Sequence, residues 1–326
     1  MPSFAAHLII AQEILASLKD REIEERKNYF FLGSLGPDLP YYRNVFGTAI
    51  GTFFEEKYNP ESPGYYSGHG DFFHSKTPNL FAMKMLEVIK KDKDSVTEKS
   101  KLAFTFGFLA HIAADQHIHP LVESYAGPFY SSGVARKKHR TLEVYQDFFL
   151  YQKKFPNKNF FEEDFSLWID VGPPSKEVKN EVNRLPDERI SQEDFYSKEF
   201  SFEWFRAFVS RAFFEAYSTL MEGNEVEKWI KGFNSVLGYI KNIGPYRDAD
   251  QKISEGAEEA KGFTKMFDAE DKNYLAKYFQ SAIEISNKYI LAAKTFMKEP
   301  QITDNQRKIF LIQVPDADLT SPLMMI

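Results

Sequence analysis

At 326 residues, with 43% hydrophobic and 27% charged residues, the chain is globular in composition and long enough to bury a large core. Its formal net charge of −6 offers no general attraction for nucleic acid or anionic lipid. The absence of cysteine excludes disulfides, thiolate metal sites and a thiol nucleophile, so any metal must be held by nitrogen and oxygen.

The opening run from Phe4 to Leu15 has no basic region before it and is interrupted by Gln12 and Glu13, so it does not read as an export signal. No stretch approaches the ~20 apolar residues of a membrane span. The expectation is a soluble, cytoplasmic protein. Ser3 reads as the N-cap of a first helix to about Leu18, with His7, Ile10, Ala11, Ile14 and Leu18 on one face. A second short helix, from about Ile23 to Leu32, is predicted to end at Gly33. From Gly33 to Phe73 the text opens Gly-Ser-Leu-Gly-Pro-Asp38 and continues in Tyr, Gly, Pro and Asn, which reads as a long loop.

Thr77 and Pro78 start a further helix through Leu80, Met83, Met85, Leu86 and Ile89. Ser95 with Glu98 reads as a capping box for the next, predicted to end near Pro120. Its Ala103, Gly107, Ala110, Ala113 and Ala114 are small enough for close helix approach. An amphipathic helix follows from about Val134 to Tyr151, then a breaker region with Gly172, Pro173, Pro174 and Leu185-Pro186. Helical patterning returns over Phe202 to Met221 and Asp271 to Phe296, where Leu275, Phe279, Ala282, Ser286 and Tyr289 share a core-like face. With no repeat and no useful β-alternation, the fold class is all-α. The predicted organisation is a ligand-bearing helical core over 1–165, a helical second half over 166–300 packed on the same domain, and a tail over 301–326.

The chemistry concentrates between positions 111 and 143. Four of the seven histidines lie between 111 and 139. At ~3.6 residues per turn, His111, Asp115 and His119 project from one helical face, and the next helix supplies Arg136, His139, Arg140 and Glu143. Paired side chains four apart can present two ligands to one ion. Each element also has a plainer reading: His7 as a core histidine, His111 with Asp115 as a hydrogen-bonded couple, His139 with Glu143 as a solvated pair, Asp38 as a turn residue, His74 as a helix cap. His69, in Ser-Gly-His-Gly-Asp, reads as a loop residue. Taken together, histidines and carboxylates on three helices and a loop suit zinc, and they outnumber what one tetrahedral ion needs. A multinuclear site is the better count.

The ordered series His7, Gly33-Ser-Leu-Gly-Pro-Asp38, Phe73-His74, His111-Ile-Ala-Ala-Asp115, His119-Pro120 and His139-Arg-Thr-Leu-Glu143 resembles the zinc-dependent phospholipase C family. The secreted zinc nucleases that cut single-stranded nucleic acid share that fold and ligand plan. The resemblance covers about residues 4 to 147, and none is apparent beyond about 165. It implies a site of two or three zinc ions. Asp38, His74, His111 and Asp115 would hold one, Asp115 would bridge to a second that also takes His7, and His119, His139 and Glu143 would hold a third. The sequence departs from the family pattern in two places. Members complete the bridged position with an N-terminal tryptophan, whereas this chain begins Met-Pro-Ser-Phe and has its tryptophans at 168, 204 and 229. After Asp115 the choice of ligand lies between His117 and His119, and helical phase favours His119.

The implied activity is hydrolysis of a phosphodiester on a lipid head group or a related small diester by metal-activated water. Asp38 would be ligand and general base, and Arg140 would contact the substrate phosphate. Tyr41 and Tyr42, with Tyr65 and Tyr66, would line the cleft rim, where aromatic faces can receive a choline-like cation. The alternatives are a zinc nuclease, against which the acidic balance argues, and a non-catalytic protein stabilised by metal. No stable nucleic-acid partner is expected.

Overall fold

The structure, a computed structural model, describes residues 4–38, 74, 78–91, 98–127, 132–170, 245–258, 260–261 and 274–315. Among these there are helices and short 3-10 turns and no strand, and the fold is all-α. In chain order they are α1 (Phe4–Leu18), α2 (Arg21–Glu24), α3 (Lys27–Ser34), a 3-10 turn at Gly36–Asp38, α4 (Pro78–Lys91), α5 (Glu98–Ala126) and α6 (Gly133–Lys154). The 3-10 turns Phe160–Glu162 and Phe165–Trp168 follow, then α7 (Pro245–Ser254), α8 (Tyr274–Lys298) and α9 (Asp304–Gln313).

Helix α5 is the axis of the molecule. At 29 residues it is about 44 Å long, and every residue from Ala103 to Gln116 is buried. A helix enclosed on all sides needs apolar or small residues all round, which is what Phe104-Thr-Phe-Gly-Phe-Leu-Ala provides. Helices α3 and α8 pack against it most extensively, with α4, α6 and α1 completing the enclosure. On the α8 side Phe279, Ala282, Ser286 and Tyr289 of the predicted face are buried, and the Leu275 side chain lies outside the described residues. The Tyr289 hydroxyl donates to Gln116 Oε1 at 2.7 Å.

The α3–α5 crossing is closer still. A Cβ on Gly33 would stand 2.0 Å from the Phe104 carbonyl oxygen, and one on Gly107 would stand 2.0 Å from the Phe30 carbonyl oxygen. The two backbones touch, and only glycine fits at either position.

The predicted stop at Gly33 falls one residue before the end of α3, and the glycine also serves the crossing. The single helix predicted from Ile23 to Leu32 is two pieces separated at Glu25-Arg26. Two other boundaries move. Helix α5 runs through Pro120 to Ala126, because burying Leu121, Val122 and Ala126 outweighs the ~3 kcal/mol that an internal proline costs. The predicted tail contains α9, which Thr303 and Gln306 start as a reciprocal capping box and which Arg307 ties to the buried Glu87 of α4 at 2.7 Å. The expected caps Ser3 and Ser95 and the helix over 202–221 lie outside the described residues.

Charged side chains finish the helix ends. Lys90 of α4 donates to the carbonyls of Phe296, at 3.3 Å, and Met297, at 3.0 Å, and to that of Glu299, satisfying acceptors that the C-terminus of α8 leaves open. Asp20 caps α2 by accepting from the Glu22 and Ile23 amides at 2.9 and 3.1 Å, and pairs with Lys294 of α8. Partial burial opposes charge on Asp20, but the Lys294 bond and the two amides outweigh it and hold its carboxyl below the ordinary 3.8. A depressed folded-state pKa adds stability that is fully present above the unfolded value and lost as pH falls through the folded one. Asp20→Asn keeps the capping oxygen, so it should lower the melting temperature slightly at neutral pH, with the gap to wild type closing once pH drops below the carboxylate range. A gap that persists in acid would show that charge is not the cause.

Candidate metal centre

Five imidazoles and three carboxylates converge beside the buried middle of α5. His7 comes from the first turns of α1, and Asp38 ends the 3-10 turn after α3. His111, Asp115 and His119 lie on successive turns of α5, His139 and Glu143 lie on successive turns of α6, and His74 precedes α4. All are buried except His119, which is 15% exposed on its side chain.

Asp115 is the hub. Its Oδ1 lies 3.2 Å from His7 Nε2 and 3.5 Å from His119 Nε2. Its Oδ2 lies 3.2 Å from His111 Nε2 and 3.5 Å from His74 Nε2. His74 Nε2 is also 3.1 Å from Asp38 Oδ1. On the far side, His139 Nε2 is 3.0 Å and His119 Nε2 3.8 Å from Glu143 Oε1. The rings of His7 and His111 stack, 4.0 Å between centroids.

Three sets of ligand atoms are each compact enough to enclose one ion: His7, His111 and Asp115; Asp38, His74 and His111; His119, His139 and Glu143. The eight residues singled out in the sequence are thus brought together. His119 faces the cluster, whereas His117 turns back to its own helix, with Nδ1 2.9 Å from the Ala113 carbonyl oxygen. Arg140 is half-buried on α6, next to His139 in the chain. Tyr41, Tyr42, Tyr65, Tyr66 and His69 lie outside the described residues.

The protonation pattern shows what the cluster is suited to hold. His111 Nδ1 is 2.8 Å from the carbonyl oxygen of Ser34. That oxygen can only accept, so Nδ1 carries the hydrogen. Burial, and then the neighbouring His7, keep the ring neutral by pushing its pKa down. His111 Nε2 is therefore a bare lone pair, and it faces Asp115 Oδ2 at 3.2 Å and His74 Nε2 at 3.3 Å. Both oxygens of Asp38, Oδ2 of Asp115 and Oε2 of Glu143 are buried and lack a well-placed hydrogen-bond donor among the described residues. Lone pairs aimed at one another in a dry interior repel unless a cation lies between them.

The carboxylates are held in their charged form despite burial. For Asp115 the surrounding imidazoles, His119 foremost, outweigh desolvation and set its pKa well below the usual range. Neighbouring imidazoles do the same for Asp38 and Glu143. Burial opposes charging His7, but Asp115 more than offsets it and raises its pKa. Imidazole and carboxylate donors, charged acids and no sulfur make a donor set that fits zinc.

A sequence profile described as zinc dependent phospholipase C matches residues 6–221, well over half of the chain. The chain belongs to the zinc dependent phospholipase C family. The family match takes in all eight clustered residues and continues past residue 165, beyond where the motifs themselves are recognisable. No curated protein and no solved structure matches the sequence. No helix among the described residues is long and apolar enough to cross a membrane.

Two groups that border the cluster were not visible as motifs. The Ser34 carbonyl that fixes the His111 tautomer is backbone, and its only trace is the pair of glycines that bring α3 onto α5. Asp147 is fully buried one turn beyond Glu143, continuing the stripe 139, 143, 147. Its spacing was the available signal.

Proposed function

We propose that this protein is a zinc-dependent phosphodiesterase that acts, like a phospholipase C, on a lipid head group or a related small diester. The observation that carries the reading is the Asp115 hub, whose two oxygens address separate sets of imidazoles as a bridging ligand does. In this reading Asp38, His74, His111 and Asp115 hold one ion, Asp115 and His7 a second, and His119, His139 and Glu143 a third. When bound, zinc supplies acidified water and an electrophilic clamp on phosphoryl oxygen.

The protein's own groups do the rest. The Ser34 carbonyl locks His111 with Nε2 inward, and the enclosure of α5 keeps bulk water from the floor of the site. Asp38 is both ligand and the base that takes the proton of the attacking water; His74 beside Oδ1 leaves Oδ2 for that proton. Arg140 contacts the substrate phosphate. Tyr41 and Tyr42 are assigned to substrate binding on the sequence alone.

The test joins metal content to turnover. Purified protein should carry two or three zinc ions per chain and hydrolyse a chromogenic phosphocholine diester, with activity lost to a chelator and regained with zinc. His111→Ala should lose metal and turnover together, while His69→Ala changes neither. Cleavage of single-stranded DNA in preference to the diester would identify a nuclease instead. Full zinc content with no turnover on either substrate would identify a metal-stabilised, non-catalytic protein.

A further inference from the structure

Asp147 is a buried carboxylate that the proposed metal centre does not use. It belongs to α6, two turns beyond His139, and is fully shielded from solvent. Its Oδ1 accepts from the backbone N–H of Ala6 at 2.6 Å, and its Oδ2 accepts from the hydroxyl of Tyr246 at 2.5 Å. Ala6 lies in the first turn of α1, where amides have no partner within the helix and a carboxylate is favoured by the helix dipole. The next residue in the chain is His7.

Tyr246 comes from α7, far along the chain. It is 5% exposed and seated in an aromatic cluster with Phe4, Phe148 and Phe160, its ring stacked on Phe160 at 5.6 Å. Phe4, at the start of α1, also meets Phe165 edge-on at 5.3 Å. The first turn of α1 is thus gripped twice, through its backbone by Asp147 and through Phe4 by the rings around Tyr246.

We infer that Asp147 and Tyr246 are positioning residues for His7, together fixing the first turn of α1 so that the imidazole meets Asp115. The inference rests on the metal-centre reading above. Each Asp147 oxygen accepts a hydrogen bond from the protein, and Asp147 belongs to none of the three compact ligand sets among the described residues, so its role is assigned through the helix and not as a ligand. Segment 245–254 thereby controls the metal position that His7 serves, although it contributes nothing to the cluster itself.

The test is zinc competition against a chromophoric chelator, using the full-length chain. Tyr246→Phe keeps the ring packing and removes one hydrogen bond. It should weaken one zinc by about 10- to 100-fold, the loss typical of an outer partner, and leave the other positions as in wild type. Asp147→Ala should weaken the same zinc further, and Asp147→Asn, which can still accept from the Ala6 amide, should recover part of the loss. His7→Ala should remove that zinc, and adding Tyr246→Phe to it should change nothing more. Wild-type zinc affinity in both Tyr246→Phe and Asp147→Ala would overturn the inference. So would a weakening of equal size in the His7→Ala background, which would mean general loosening. A wild-type chain that takes up no zinc would sink the metal-centre reading and this inference with it; normal wild-type uptake with unaltered variants would sink this inference alone.

Discussion

Gly107→Ala should destabilise the protein by an amount at or beyond the upper end of the ~1–3 kcal/mol seen for overpacked cores, and it should strip zinc from the fraction that still folds. The added methyl would stand 2.0 Å from the Phe30 carbonyl oxygen and 2.8 Å from the Ser34 amide nitrogen. Both are backbone atoms of a helix, so no side-chain rotation can make room, and α3 must move away from α5. That movement pulls the Ser34 carbonyl from His111 Nδ1, now 2.8 Å apart. Without that acceptor the ring is free to change tautomer and turn a hydrogen toward the cluster, which a metal position cannot accommodate. Thermal denaturation and zinc content of the soluble fraction check both halves. A wild-type melting temperature in Gly107→Ala would mean that the helices do not touch as described.

Asp115→Asn should have the largest effect on the centre itself. The amide keeps the shape but replaces one of the two oxygens with an N–H₂ group, and among the described residues Asp115 is the carboxylate that faces both the His7 and the His74–His111 sides. An N–H₂ pointed at either set opposes a cation there. Zinc should be lost from the His7 position and weakened beside Asp38, with turnover falling by more than the ~10- to 100-fold typical of outer partners. Glu143→Gln should act locally, lowering affinity at His119 and His139 while the two positions around Asp115 stay filled. Equal and small losses in the two variants, by zinc stoichiometry and diester hydrolysis, would contradict a bridging role for Asp115.

The cluster was legible because helical spacing is a geometric fact that survives without coordinates. His111-x3-Asp115-x3-His119 and His139-x3-Glu143 had to lie on faces, and the surrounding alanines and phenylalanines had to bury those faces. Asp38 and His74 gained meaning only from the ordered series, since a turn aspartate and a helix-capping histidine look the same as ligands. Backbone contributions were hidden: the Ser34 carbonyl has no side-chain signature, and Gly33, legible as a stop, gave no sign of its contact with Phe104. Pro120 misled for the opposite reason, because local propensity marks an end that tertiary burial overrides. The C-terminal α9 was written in the text as Thr303-Asp-Asn-Gln306, but the helix buries only Phe310 and so carries no apolar face to stand out against a tail. Tyr246 could not be paired with Asp147 from sequence, because 99 residues separate them.

Helix α5 has no outer side between Ala103 and Gln116. A protein whose reactive groups grow from such a rod cannot retune its preference by editing the rod, since each change there is also a change to the packing of every neighbour. Changes in what such a site accepts are then least constrained in the peripheral segments, where fewer neighbours must repack. The half-open His119, one turn past the sealed stretch, marks the end from which those segments would have to reach in.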